Sequence, residues 1–156
     1  MNKIRILIME HEKRVCRVLC RIIKRLGFES LSVNEPADFE STYAELNPDV
    51  VLLSLEIPIT NLTSLLHSLA EQHSPATIIL LSNMHEHETA GLERFGQSSG
   101  LNMGGILRKP INVDAVKSKL KELVPQNHTR PLKKSPQISR LFRERLASLY
   151  ALNQAN

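Results

Sequence analysis

Tryptophan is absent from this chain and aromatic residues make up only 4% of it, so the core has to be built from Leu, Ile and Val. Cysteine is nearly absent too. The two present, Cys16 and Cys20, stand four apart inside a helical pattern, which is neither a C-x-x-C redox pair nor a zinc knuckle. Two ordinary helix cysteines in a reduced, cytosolic protein are therefore expected. No apolar run approaches eighteen residues, which excludes a transmembrane helix, and Met1 to Arg5 lead directly into a strand-like segment with no signal-peptide pattern. A cytoplasmic location follows as the expectation, with no membrane partner. Internal repeats and low-complexity tracts are missing as well.

What is present is ordinary for a globular protein: 42% apolar and 23% charged residues over 156 positions. That length suits one packed domain with a short appendage. The formal net charge is +4, and the cations gather in two places. Lys13, Arg14, Arg17, Arg21, Lys24 and Arg25 crowd one predicted helix, while Arg130, Lys133, Lys134, Arg140, Arg143 and Arg145 lie in the tail. Neither run is interleaved with aromatics and no helix-turn-helix pattern follows. A solvated face is the expected meaning of the first, and nucleic acid is not the expected partner.

Strand-like and helix-like segments alternate through the first 125 residues. Ile4 to Met9 reads as a strand buried on both faces, and a helix carrying Val15, Val18, Leu19, Ile22, Ile23 and Leu26 follows, closed by Gly27. Phe28 to Val33 is a second strand. Asn34 caps a helix running to about Leu46, with Pro36 in its first turn. Val50 to Ser54 is the third strand, and Asn61 caps a helix bearing Leu62, Leu65, Leu66 and Leu69. Ala76 to Ser82, a helix from Glu86 to Gln97, a short strand from Gly104 to Arg108 and a helix stopped by Pro125 complete the series. The pattern predicts an α/β fold with a five-stranded parallel sheet covered by helices on both sides. Residues 126–136 are expected to be a linker. Residues 137–156 are expected to be an amphipathic helix whose stripe, Ile138, Leu141, Phe142, Leu146, Leu149 and Tyr150, needs a partner or its own domain to cover it.

In open parallel sheets the functional crevice lies at the carboxyl ends of the strands. The residues there are Glu10, His11 and Glu12, then Ser54 and Glu56, Ser82 and Asn83, and Lys109. The segments Ile6 to Glu12, Asp49 to Pro58, Ile78 to Ser82 and Leu107 to Pro110, in this order, resemble the response-regulator receiver (CheY-like) family over roughly Ile4 to Val124. The resemblance implies a three-layer, doubly wound sheet of order 2-1-3-4-5 and a cis Lys109-Pro110 peptide. In that family two acidic residues after strand one and an aspartate ending strand three hold Mg²⁺. The aspartate accepts a phosphoryl group, a lysine neutralises it, and a Ser or Thr after strand four moves toward it.

Mapped onto this chain, the phosphoacceptor position is Ser54, the acidic pair is Glu10 and His11, and Ser82 and Lys109 keep their types. A neutral hydroxyl offers no anionic oxygen to a metal and is a poor nucleophile without a base. Mg²⁺ binding and acyl-phosphate chemistry are thus expected to be lost, with no cofactor and no enzymatic activity. Lys109 then hydrogen-bonds Ser54 or pairs with Glu10. Ile106 stands where many relatives carry a switch aromatic. The stretch from Ser82 to Lys109 exceeds the usual receiver spacing by more than one helical turn, and Gly100 to Pro110 resembles receivers that precede EAL-type cyclic-di-GMP phosphodiesterase domains, although no EAL or GGDEF signature occurs in the chain.

The expected function is that of a pseudo-receiver acting through protein contacts. Its expected partners are an EAL or GGDEF protein, a histidine kinase, or a second copy paired through helix four, strand five and helix five or through the C-terminal helix. Two alternatives stand beside it: a receiver still switched by a ligand, metal or phosphoryl group, and a nucleic-acid-binding adaptor that relies on the basic tail. A zinc site from His11, His85 and His87 with Glu10, Glu12 and Glu86, and phosphorylation of Ser54 by a serine kinase, are the sharper readings of individual residues.

Overall fold

The computed structural model describes residues 3–83 and 86–128, with side chains left undescribed for 86–88 and 124–128. Five strands, β1 (Arg5–Met9), β2 (Glu29–Val33), β3 (Val50–Ser54), β4 (Thr77–Ser82) and β5 (Asn102–Arg108), form one parallel sheet in the order β2-β1-β3-β4-β5. The helices are α1 (Lys13–Arg25), α2 (Phe39–Leu46), α3 (Ile59–Glu71), α4 (Glu86–Ser98) and α5 (Val113–His128). This is the doubly wound, three-layer arrangement expected from the alternating pattern.

Strand alternation divides the core in two. Ile6, Ile8, Val50, Leu52, Ile79 and Leu81 face α1 and α5, and meet Leu19, Ile23, Val116 and Leu120. Leu7, Met9, Val51, Leu53, Ile78 and Leu80 face the other way, onto Phe39 and Leu46 of α2 and Leu62 and Leu66 of α3. Because β1, β3 and β4 are apolar on both faces, only their ends are left for polar chemistry.

Four sequence expectations are corrected. Asn34 does not cap a helix; a 3-10 turn at Pro36–Asp38 leads into α2, and the Asn34 amide instead donates to the Glu10 carbonyl at 3.0 Å. The α3 helix starts earlier, with extended Pro58 as its cap, so Asn61 lies within the first turn. Strand β5 begins at Asn102 because its glycine pair is a bulge inside the strand. Ile78 pairs with Met103 but Leu80 pairs with Ile106, which leaves one extra residue on β5, and Gly105 takes a φ of +104°. Finally, α5 continues through Pro125 to His128. A proline in the last turn forfeits one backbone bond without forcing the chain out of the helix, so residues 126–128 are helical and not linker. The remainder of the expected linker and the C-terminal helix lie outside the described residues.

Gly104 is packed so closely that a Cβ there would stand 2.5 Å from Thr77 Cγ2, whereas Gly91 of α4 has nothing within 4 Å. Gly104→Ala is therefore expected to destabilise the fold by about 1–3 kcal/mol. Gly91→Ala is expected to stabilise it by roughly 0.5–1 kcal/mol through helix propensity. Urea denaturation of the two variants checks this contrast.

Candidate functional site

Four strand ends bring the site together. Strand β1 stops at Met9 and delivers Glu10, which has no exposed surface. Its backbone is held on three sides: the Glu10 N–H donates to the Val33 carbonyl, and the Glu10 carbonyl accepts from Asn34 and from the Cys16 thiol. Strands β3 and β4 end in Ser54 and Ser82, both fully buried. The backbone N–H of Lys109 donates to the Ser82 carbonyl at 3.0 Å, and the Lys109-Pro110 peptide is cis as expected.

At the centre is the Lys109 ammonium. It donates to Glu10 Oε1 at 2.5 Å and to Glu56 Oε2 at 3.0 Å, with 10% of its side chain exposed. Of the two partners expected for Lys109, Glu10 is found; the second acceptor is Glu56 and not Ser54. Ser54 Oγ accepts from the Glu56 N–H at 3.3 Å, so the hydroxyl helps to orient the residue whose carboxylate meets the lysine. The other oxygen of Glu10, Oε2, accepts from the Glu12 N–H at 3.0 Å and lies 3.2 Å from His11 Nδ1. Burial pulls the lysine pKa down, but hydrogen bonds and charge from Glu10 and Glu56 together outweigh it, so Lys109 stays above its ordinary 10.5.

Glu10 and Glu56 both reach the mouth, and one ligand atom each from Glu10, His11 and Glu56 falls within 4.8 Å of the others. Glu56 was recognisable as a crevice residue two positions after Ser54, but its role was missed because nothing in a lone glutamate announces a lysine fifty-three positions away. His85 and the side chains of Glu86 and His87, on which the wider histidine cluster depends, lie outside the described residues. Burial pushes the Cys16 thiol up to about 12 and raises Cys20 as well, which makes both poor thiolates and supports their reading as packing residues. Ile106 is partly buried and packs on the α2–α3 side of the core.

Beside the ion pair opens a cleft of about 500 Å³, with Glu12, Arg14, Val15, Val18, Glu56 and Ile111 among its walls. Chemically, the crevice holds one cation engaged by two carboxylates, a cluster with negative charge in excess, where a phosphoryl group would need an anionic nucleophile and an unsatisfied positive field.

The sequence matches no protein-family profile. It is 25% identical over 139 residues to an uncharacterized transcriptional regulatory protein, YvcP, of Bacillus subtilis, a match covering 88% of this chain and 55% of that protein. The chain thus spans about half the length of that relative. A response regulator from Colwellia psychrerythraea superposes with a TM-score of 0.67 at 25% identity, over 80% of this chain and 99% of its own. The signal receiver domain of an HD domain-containing protein from Pseudomonas fluorescens Pf-5 does so with a TM-score of 0.70 at 17% identity, over 83% and 100%. The likeness in both fold and sequence is to response-regulator receivers.

Removing the lysine should expose what it does. Lys109→Met leaves the Glu10 carboxylate buried without its cation, and a loss of about 3 kcal/mol in unfolding free energy is expected at neutral pH. Since the folded pKa of Lys109 is raised, its stabilisation is fully present below 10.5 and is lost as pH climbs through the higher folded value. The stability gap between wild type and Lys109→Met should therefore hold steady up to about pH 10 and narrow above it. Denaturant melts across alkaline pH provide the check.

Proposed function

We propose that this receiver-type domain of the response-regulator class is a pseudo-receiver: its phosphorylation pocket is closed by an internal ion pair, it catalyses nothing itself, and it acts by binding other proteins of a bacterial two-component pathway. One observation carries this reading. The Lys109 ammonium sits between Glu10 and Glu56, while Ser54 stands at the phosphoacceptor position.

Phosphoryl transfer in receivers draws on an ionised nucleophile, a hard divalent cation and a free lysine charge. Here the nucleophile is a neutral hydroxyl. The two carboxylates that would bind a metal are engaged by an ammonium, and the third side chain at the mouth is an imidazole. Mg²⁺ prefers near-octahedral oxygen coordination, and this set does not fit it. The lysine takes over the neutralising role of the metal. The pocket then has one arrangement rather than two, which suits a module whose binding state is fixed.

The cyclic-di-GMP connection rests on the likeness of Gly100 to Pro110 to EAL-linked receivers. An EAL or GGDEF protein, a histidine kinase, or a second copy meeting through α4, β5 and α5 are the partners of this reading, in the cytoplasm. Among the described residues no helix is long and apolar enough to cross a membrane.

A second reading, a domain still switched by a metal, is favoured by the Glu10–His11–Glu56 cluster, because imidazole with carboxylates suits Zn²⁺ better than Mg²⁺. Calorimetric titration with Zn²⁺ separates the two readings. Saturable, stoichiometric binding that Lys109→Met strengthens would support the switched domain.

Under the favoured reading, Mg²⁺ with beryllofluoride should leave the amide resonances of Ser54, Ser82 and Lys109 unmoved; saturable shifts there would sink it. Ser54→Asp should by itself recover little phosphorylation from a small phosphodonor, because Lys109 still holds Glu10 and Glu56 and His11 still replaces a carboxylate. Intact-mass measurement after incubation gives the readout, and efficient Mg²⁺-dependent uptake would contradict the role assigned to the ion pair.

A further inference from the structure

The α1 helix carries an arrangement that packing does not explain. At 3.6 residues per turn, Lys13, Arg14, Arg17, Arg21, Lys24 and Arg25 fall within an arc of about 120°, and at 1.5 Å per residue they run for about 18 Å. Arg17 is half-buried and the other five are exposed. The opposite arc, with Cys16, Leu19, Ile22 and Ile23, is buried against the sheet. No acidic residue lies in Lys13–Arg25. Three successive i,i+4 pairs, Lys13–Arg17, Arg17–Arg21 and Arg21–Arg25, therefore set cation on cation, which disfavours the helix locally. A local rule broken along a whole helix face, with no acidic residue on the helix itself, points to a polyanion outside it.

The chemistry of the stripe selects among polyanions. A protein interface needs an apolar core within the contact, yet this arc holds none, and exposed Val18 only borders it. Insertion into a bilayer needs an available apolar face, and that of α1 is already used against the sheet. Single-stranded nucleic acid is gripped by aromatic stacking, and α1 has no aromatic residue. A straight row of guanidinium and ammonium groups with no interleaved apolar residue matches the phosphate rows of a duplex.

We propose that the basic face of α1 is a docking ridge for the phosphate backbone of duplex nucleic acid, a binding function that adjoins the cleft through Arg14 but does not use the Lys109 ion pair.

The test is fluorescence anisotropy of the intact chain with a labelled DNA duplex of about 30 base pairs, titrated across salt. With five or six phosphates contacted, log K is expected to fall against log salt with a slope of about −4.5 to −5.5. Arg17→Glu combined with Arg21→Glu should weaken binding by at least ~10-fold and flatten the slope by about 2, while Arg17→Lys with Arg21→Lys retains most of the affinity. The charge reversal turns two of the three repulsive i,i+4 pairs, 13/17 and 21/25, into attractive ones and leaves the 17/21 pair repulsive with the opposite sign, so the helix should fold at least as well, which circular dichroism and a thermal melt verify. Three results would overturn the proposal: no salt-sensitive binding to the duplex, a loss caused by Arg140→Glu with Arg143→Glu but not by the α1 pair, or α1-dependent capture of phosphatidylglycerol vesicles without capture of the duplex.

Discussion

The Lys109 ammonium between two carboxylates organises the mouth of this domain. Glu10 is wholly buried, and an ionised carboxylate in that position carries a desolvation cost of several kcal/mol unless a cation and hydrogen bonds offset it. Lys109 supplies the cation and the Glu12 N–H supplies a further donor to the carboxylate. The lysine is in turn placed by its own backbone, whose N–H is fastened to the Ser82 carbonyl at the end of β4. One ionic contact thereby ties together the segments that follow β1, β3 and β5. Any account of what the domain binds has to begin with a crevice whose strongest charges already face each other.

Such a crevice is a consequence of the sheet. In a parallel sheet with apolar residues on both faces of its central strands, polar side chains can gather only where the strands end. β1, β3 and β4 are buried along their whole length, so Glu10, Ser54 and Ser82 are the first polar positions the chain offers at that edge. The fold brings them together whatever chemistry they can perform. On the reading proposed above, function is decided by identity at a few positions: a hydroxymethyl at Ser54, an imidazole at His11, and a carboxylate at Glu56 that meets the lysine.

Much of this could be read from the chain because two periodicities differ so clearly. Continuous apolar runs such as Ile6 to Met9 and Val50 to Leu53 have the length of buried strands, and the Leu62, Leu65, Leu66, Leu69 spacing fits only a helix. The crevice residues followed directly from the strand ends. What escaped was set by tertiary contact. Asn34 has the chemistry of a helix cap, but the Glu10 carbonyl lies within its reach and its amide goes there instead. The pair Gly104 and Gly105 looks like a strand boundary, since nothing local separates a bulge from a turn; the distinction appears only once Thr77 and Lys119 lie against them. Glu56 was visible as a position yet silent as a partner, because an ion pair spanning fifty-three positions leaves no trace in spacing.

Charge in this protein is sorted by place. The crevice engages its cation internally and keeps a carboxylate in excess, whereas α1 stacks like charges on one face and projects them outward. A domain that still ran the receiver cycle would need the reverse: an unsatisfied field inside the crevice to attract a phosphoryl group, and a surface whose binding changes when that field is filled. Under the pseudo-receiver reading, with Lys109 held by Glu10 and Glu56, the crevice has no lever by which to alter the outer face, and recognition resides in surfaces that are permanently present.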